Sequence, residues 1–83
     1  MKDYSKVPAH MRGGLERYVE HHIRPGSFLM AVLENNLVLA AGRADDINRM
    51  YLMQWADVLY NELPGSCWGS KEKVQNWLDK REG

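Results

Sequence analysis

Four breaks constrain this chain more than any other feature. Arg24-Pro25-Gly26-Ser27, Asn35-Asn36, Asp45-Asp46 and Pro64-Gly65 cut its 83 residues into short segments. Proline disfavours helix at the residue before it, glycine permits a tight turn, and asparagine and aspartate cap helices. Between the breaks, no stretch alternates apolar and polar residues long enough to make a strand. The apolar spacing is helical instead. The expected fold is therefore all-α: a compact bundle of four or five short helices, self-associating, with a radius of gyration of about 12 Å.

The first helix is expected to start at Val7-Pro8, because proline suits the first helical position. Met11, Leu15, Tyr18 and His22 lie four, three and four residues apart, on one face. Gly13 and Gly14 interrupt it. Either they fray the first turn, or a helix, a partner chain or a ligand approaches the backbone there. Gly26 or Ser27 caps a second helix that opens with Phe28, Leu29, Val32 and Leu33. Asn36 caps a third segment, Leu37 to Arg43. Asp45-Asp46 start the fourth, where acids both cap the helix and favour its dipole. Ile47, Tyr51, Trp55, Val58 and Leu59 form its expected apolar face. Ser70 caps the last helix, whose apolar edge is Val74, Trp77 and Leu78.

A chain of 83 residues forms a single helical domain, residues 1–83, with 1–6 expected as a flexible tail. Apolar residues make up 45% of it, which argues against disorder. No apolar run reaches the length of a membrane span. Met1-Lys2-Asp3-Tyr4-Ser5-Lys6 has no apolar core and does not read as a signal peptide. Eleven basic residues balance eleven acidic ones, which argues against gripping nucleic acid or an anionic membrane. Charge is unevenly spread, however. Residues 1–26 carry five basic and three acidic groups, and residues 27–64 carry two and five.

Catalytic motifs are absent: there is no Gly-x-Ser-x-Gly, no His-Glu-x-x-His and no P-loop. Cys67, beside Trp68, reads as a packed apolar residue. Asp45 and Asp46 are adjacent and diverge on a helix, so they do not make an acid–base pair. His21 and His22 diverge likewise, and one cysteine with three histidines makes no zinc site. The expectation is therefore no enzyme, no metal and no cofactor.

Two binding chemistries remain. Arg24-Pro25-Gly26-Ser27-Phe28 puts a cation and a glycine at a helix mouth, where free amides favour an anion. Phe28 is placed to stack on a base, with Arg12, Arg17, Tyr18 or His10 facing the same opening. An ordinary helix connection explains the same residues. The second chemistry is apolar contact. Leu37, Val38 and Leu39 leave little of their segment polar, and Met50 and Met53 widen the apolar surface of the fourth helix. Five methionines and three tryptophans exceed the needs of one small core, and both are favoured at interfaces. A homo-oligomer or a docked partner is expected. A DNA-reading turn at Asn35-Asn36 fits less well, because the next segment opens without Arg, Asn or Gln.

Four stretches carry a resemblance. The first is Val7-Pro8-Ala9-His10-Met11-Arg12-Gly13-Gly14-Leu15-Glu16-Arg17-Tyr18. The second is Pro25-Gly26-Ser27-Phe28-Leu29-Met30-Ala31-Val32-Leu33-Glu34-Asn35. The third is Ala44-Asp45-Asp46-Ile47-Asn48, and Cys67-Trp68-Gly69-Ser70 with Val74 and Trp77 closes the pattern. Over roughly residues 7–78 the chain resembles a widespread family of short proteins carried by tailed bacteriophages and prophages of Gram-negative bacteria. It departs from that pattern at Arg24, Val38 and Leu39. The resemblance implies a small accessory protein acting by binding in the cytoplasm of an infected host cell. One expectation is a sponge that sequesters a small anionic ligand, a nucleotide signal of host defence. Arg12, Arg17, Arg24, Gly26, Ser27 and Phe28 would hold it, with Tyr18 and Asn35 lining the site. The alternative is a module that inhibits or redirects a host protein through Leu37, Val38, Leu39, Met50 and Met53. A small DNA-binding regulator is the third reading.

Overall fold

A computed structural model of the chain describes residues 3–81, and among them it is all-α. The helices are α1 (Ala9–His21), α2 (Ser27–Leu33), α3 (Leu37–Arg43), α4 (Asp46–Met50), α5 (Leu52–Glu62) and α6 (Lys71–Leu78). A single 3-10 turn, Gly65–Cys67, precedes α6. The radius of gyration is 11.7 Å, as expected for a bundle of this size. None of these helices is long and apolar enough to cross a membrane.

The caps act where the sequence placed them. Asn36 Oδ1 accepts from the Leu39 amide at 3.1 Å, and Asp45 Oδ1 from the Asn48 amide at 2.7 Å. Ser70 Oγ accepts from the Lys73 amide at 3.1 Å. Each side chain satisfies one of the free amides of a first turn. Helix α1 closes differently. His22 takes the left-handed conformation (φ 58°), and its amide returns to the Tyr18 carbonyl at 3.0 Å.

One expected helix is two. The face Ile47, Tyr51, Trp55 does not run on, because the chain turns at Tyr51 (φ −109°, ψ 18°). Asn48 is buried there, and its Oδ1 accepts from Trp55 Nε1 at 3.2 Å. That bond spans the turn and ties α4 to α5. Trp55, Val58 and Leu59 stay in the core, while Ile47 and Tyr51 face outward.

The core centres on Leu15, Tyr18, Leu29, Leu33, Trp55, Val58 and Val74, with Val7 sealing it from the N-terminal side. Cys67 is fully buried, as its tryptophan neighbour implied. Three bonds staple the loop before α6, and α6 itself, to this core. Tyr18 Oη donates to the Cys67 carbonyl at 2.7 Å, the Gly69 amide to the Leu33 carbonyl at 2.8 Å, and Trp77 Nε1 to the Tyr18 carbonyl at 2.9 Å.

The N-terminal segment, expected as a tail, is fastened over its described residues 3–6; Met1 and Lys2 lie outside the described residues. Arg12 Nε donates to the Tyr4 and Val7 carbonyls, both at 3.1 Å, and its Nη2 to the Ser5 carbonyl at 2.9 Å. The Asp3 amide reaches Glu62 Oε1 at 3.2 Å.

Burial also marks two tyrosines. It pushes the Tyr4 phenol up to about 12, with the acid Glu20 adding to it, and raises Tyr18 as well. Both are held neutral in the folded protein above the ordinary tyrosine value of 10.0. Their contribution to stability is therefore complete below that pH and lost as pH rises through the folded values. Stability measured by urea titration should fall steadily as pH rises above 10 towards 12. Tyr18→Phe should flatten that fall. At neutral pH the same variant should lose about 1 kcal/mol with its buried hydrogen bond. A slope at alkaline pH identical in both proteins would contradict this.

Candidate functional site

Most of the residues expected to share one ligand site do not meet. Tyr18 is in the core, and its hydroxyl is committed to the Cys67 carbonyl. Phe28 is also core, at 7% exposure, with its ring edge-on to Trp55 at 5.7 Å. A helix of composition SFLMAVL is apolar on most sides, and packing turned Phe28 inward. It has no open face on which a base could stack. The Arg12 guanidinium is spent on the N-terminal carbonyls. Arg17 lies back over its own helix, with Nη1 3.1 Å from where a side chain at Gly13 would begin. The group that approaches the Gly13-Gly14 backbone is thus Arg17 rather than a second helix. Asn35, left-handed at φ 63°, ends α2 and lines a different depression.

Arg24 and Ser27, with Gly26 between them, do border a cleft. It is shallow and open, about 400 Å³ in volume. Its other charged walls are Glu34, Arg43 and Lys71, and its apolar walls include Met30 and Leu39. Arg43 closes α3, and Lys71 opens α6. Neither was legible as a partner of Arg24, because their separations in the chain carry no local signal. Among the described residues the ion pairs are Lys6–Asp57 and His10–Asp45. Arg24, Arg43 and Lys71 make none there, and their side chains donate no hydrogen bond to a described residue.

The second feature is apolar. A small groove of about 100 Å³ runs between α3 and α5, walled by Leu37, Ala40, Leu52, Trp55, Ala56 and Leu59. The three helices α3, α4 and α5 also expose large apolar side chains. Leu37 is 70% exposed, Val38 83%, Met50 79%, Met53 75% and Tyr60 79%. Met53, Ala56 and Tyr60 are three and four residues apart, so they form one stripe of α5 beside the groove. Four of the five residues expected at an interface (Leu37, Val38, Met50 and Met53) are therefore exposed. The fifth, Leu39, is half-buried against the core and lines the basic cleft. Helix α3 thus separates the two features.

Acid–base chemistry is thinly represented. His10 Nε2 sits 3.3 Å from Asp45 Oδ2 on the surface. The Asn48 amide, and secondarily His10, hold the Asp45 carboxyl below the ordinary aspartate value. That carboxylate is the cap of α4, which accounts for its contacts. Among the described residues no group of three His, Cys, Asp or Glu is close enough to hold a metal ion.

No family model matches the chain, and neither a curated protein nor a solved structure matches it.

Proposed function

We propose that this protein is a protein-interaction module that works by docking rather than by catalysis, through the apolar face formed by α3, α4 and α5. The observation that carries this reading is the exposure of Leu37, Val38, Met50, Met53 and Tyr60 on α3, α4 and α5, with Leu37 lining an apolar groove between α3 and α5. A small domain scatters single apolar residues on its surface, but this many large ones exposed on three consecutive helices favours an interaction surface. Methionine suits the task, because its unbranched thioether side chain adapts to the shape it meets. If the resemblance to phage-borne proteins holds, the partner would be a protein of an infected host cell, which docking in the cytoplasm would inhibit or redirect. A second copy of the chain is the other occupant this face fits.

The testing experiment is capture from host lysate by the tagged protein, with Val38→Glu and Met53→Glu combined as the disabled form. Asn76→Glu, an exposed change on α6, is the control. A partner held by the wild type and the control, and released by the double variant, is the expected result. Equal capture by all three would remove this face as the docking surface.

A further inference from the structure

The basic cleft lies apart from the apolar face and has its own chemistry. Its charged walls are three cations, Arg24, Arg43 and Lys71, and one carboxylate, Glu34, for a local balance of +2. The cations come from three places far apart in the chain: the α1–α2 connection, the end of α3 and the start of α6. None of the three is paired among the described residues. Like charges converging on one depression repel each other, and the fold supplies one carboxylate against them. A doubly charged anion would cancel the imbalance.

The cleft is also two-sided. The three cations are exposed, while Met30 and Leu39, lining the same cleft, are half-buried and pack on the core. A ligand seated there would meet cations at the rim and a thioether and an isobutyl group at the floor. The volume of about 400 Å³ lies well above that of a bare phosphate and within the range of small-ligand sites. We propose that this cleft binds a phosphorylated small molecule with a compact apolar or planar body, of the size of a nucleoside monophosphate. Arg24, Arg43 and Lys71 hold the phosphoryl group, and Met30 and Leu39 carry the body. The site keeps Arg24 and Ser27 of the expected ligand set and replaces its aromatic half. It gives the protein a way to hold such a molecule out of solution, independently of what docks on α3–α5.

The test is calorimetric titration of the full chain at low salt with two probes, inorganic orthophosphate and adenosine monophosphate. The monophosphate should bind, roughly tenfold tighter than orthophosphate, the gain coming from the floor. Added salt should weaken both. Arg43→Gln combined with Lys71→Gln should abolish binding by both probes at an unchanged melting temperature, since neither side chain holds the fold. Amide NMR shifts should concentrate at Ser27, Leu39 and Lys71. Absence of binding, equal binding by the double variant, or equal affinity for the two probes would each overturn the proposal.

Discussion

Trp55→Ala should abolish cooperative folding of this domain at 25 °C, or come close to it. The indole is 1% exposed, is met edge-on by Phe28 at 5.7 Å, and donates to Asn48 at 3.2 Å. Truncating a buried tryptophan costs about 3–5 kcal/mol. The buried Asn48 carbonyl loses its donor at the same time, a further penalty of about 1–3 kcal/mol. A chain of this length has a total stability of only about 4–12 kcal/mol. Trp55→Phe separates the two losses. It keeps most of the ring and drops the hydrogen bond, so it should fold with a melting temperature lower by roughly 4–8 °C for each kcal/mol lost. Urea titration followed by circular dichroism reads both variants. A Trp55→Ala protein that still unfolds cooperatively with less than about 2 kcal/mol lost would show that the core does not turn on this residue.

The second large effect is on binding, with stability unchanged. Val38→Glu with Met53→Glu places two carboxylates on side chains that already face solvent, 83% and 75% exposed. Exposed substitutions of this kind usually stay within about 0.5 kcal/mol of the parent. Against a docked partner the same carboxylates must be buried without a counter-charge. If each residue anchors the contact at about 2 kcal/mol, the pair should weaken binding roughly a thousandfold. The melting temperature and the affinity for a captured partner should therefore part company. An affinity retained within about tenfold would mean that the contact lies elsewhere.

Much of the secondary structure was legible because it is set by chemistry that acts over three or four residues. Asn36, Asp45 and Ser70 each cap the amide three positions on, and Pro25-Gly26 and Pro64-Gly65 break the chain wherever they occur. The exposed Leu37, Val38, Met50 and Met53 were legible for a related reason. The chain holds more large apolar residues than a core of this size can cover, and a short segment carrying three in a row cannot hide them all. The division at Tyr51 was not legible. Nor was the burial of Asn48 beside it, bonded to Trp55, since nothing in the local pattern says that an asparagine will be drawn inside.

The candidate ligand residues divide along the same line. Tyr18 and Phe28 suit a binding site as well as they suit a core, and residue type alone does not choose between them. Packing chose the core, because burying an aromatic ring gains more than leaving it at a helix mouth. Arg12 and Arg17 were counted as free cations, yet one fastens the N-terminal segment and the other lies over Gly13. The sequence by itself determined that the chain is helical, where most of its helices start and stop, and that it would leave apolar surface uncovered. Only the tertiary structure decided which aromatic residues are inside and which cations stand together. Caps and turns act between near neighbours, whereas Arg24, Arg43 and Lys71 share a cleft only because α2, α3 and α6 pack around one core.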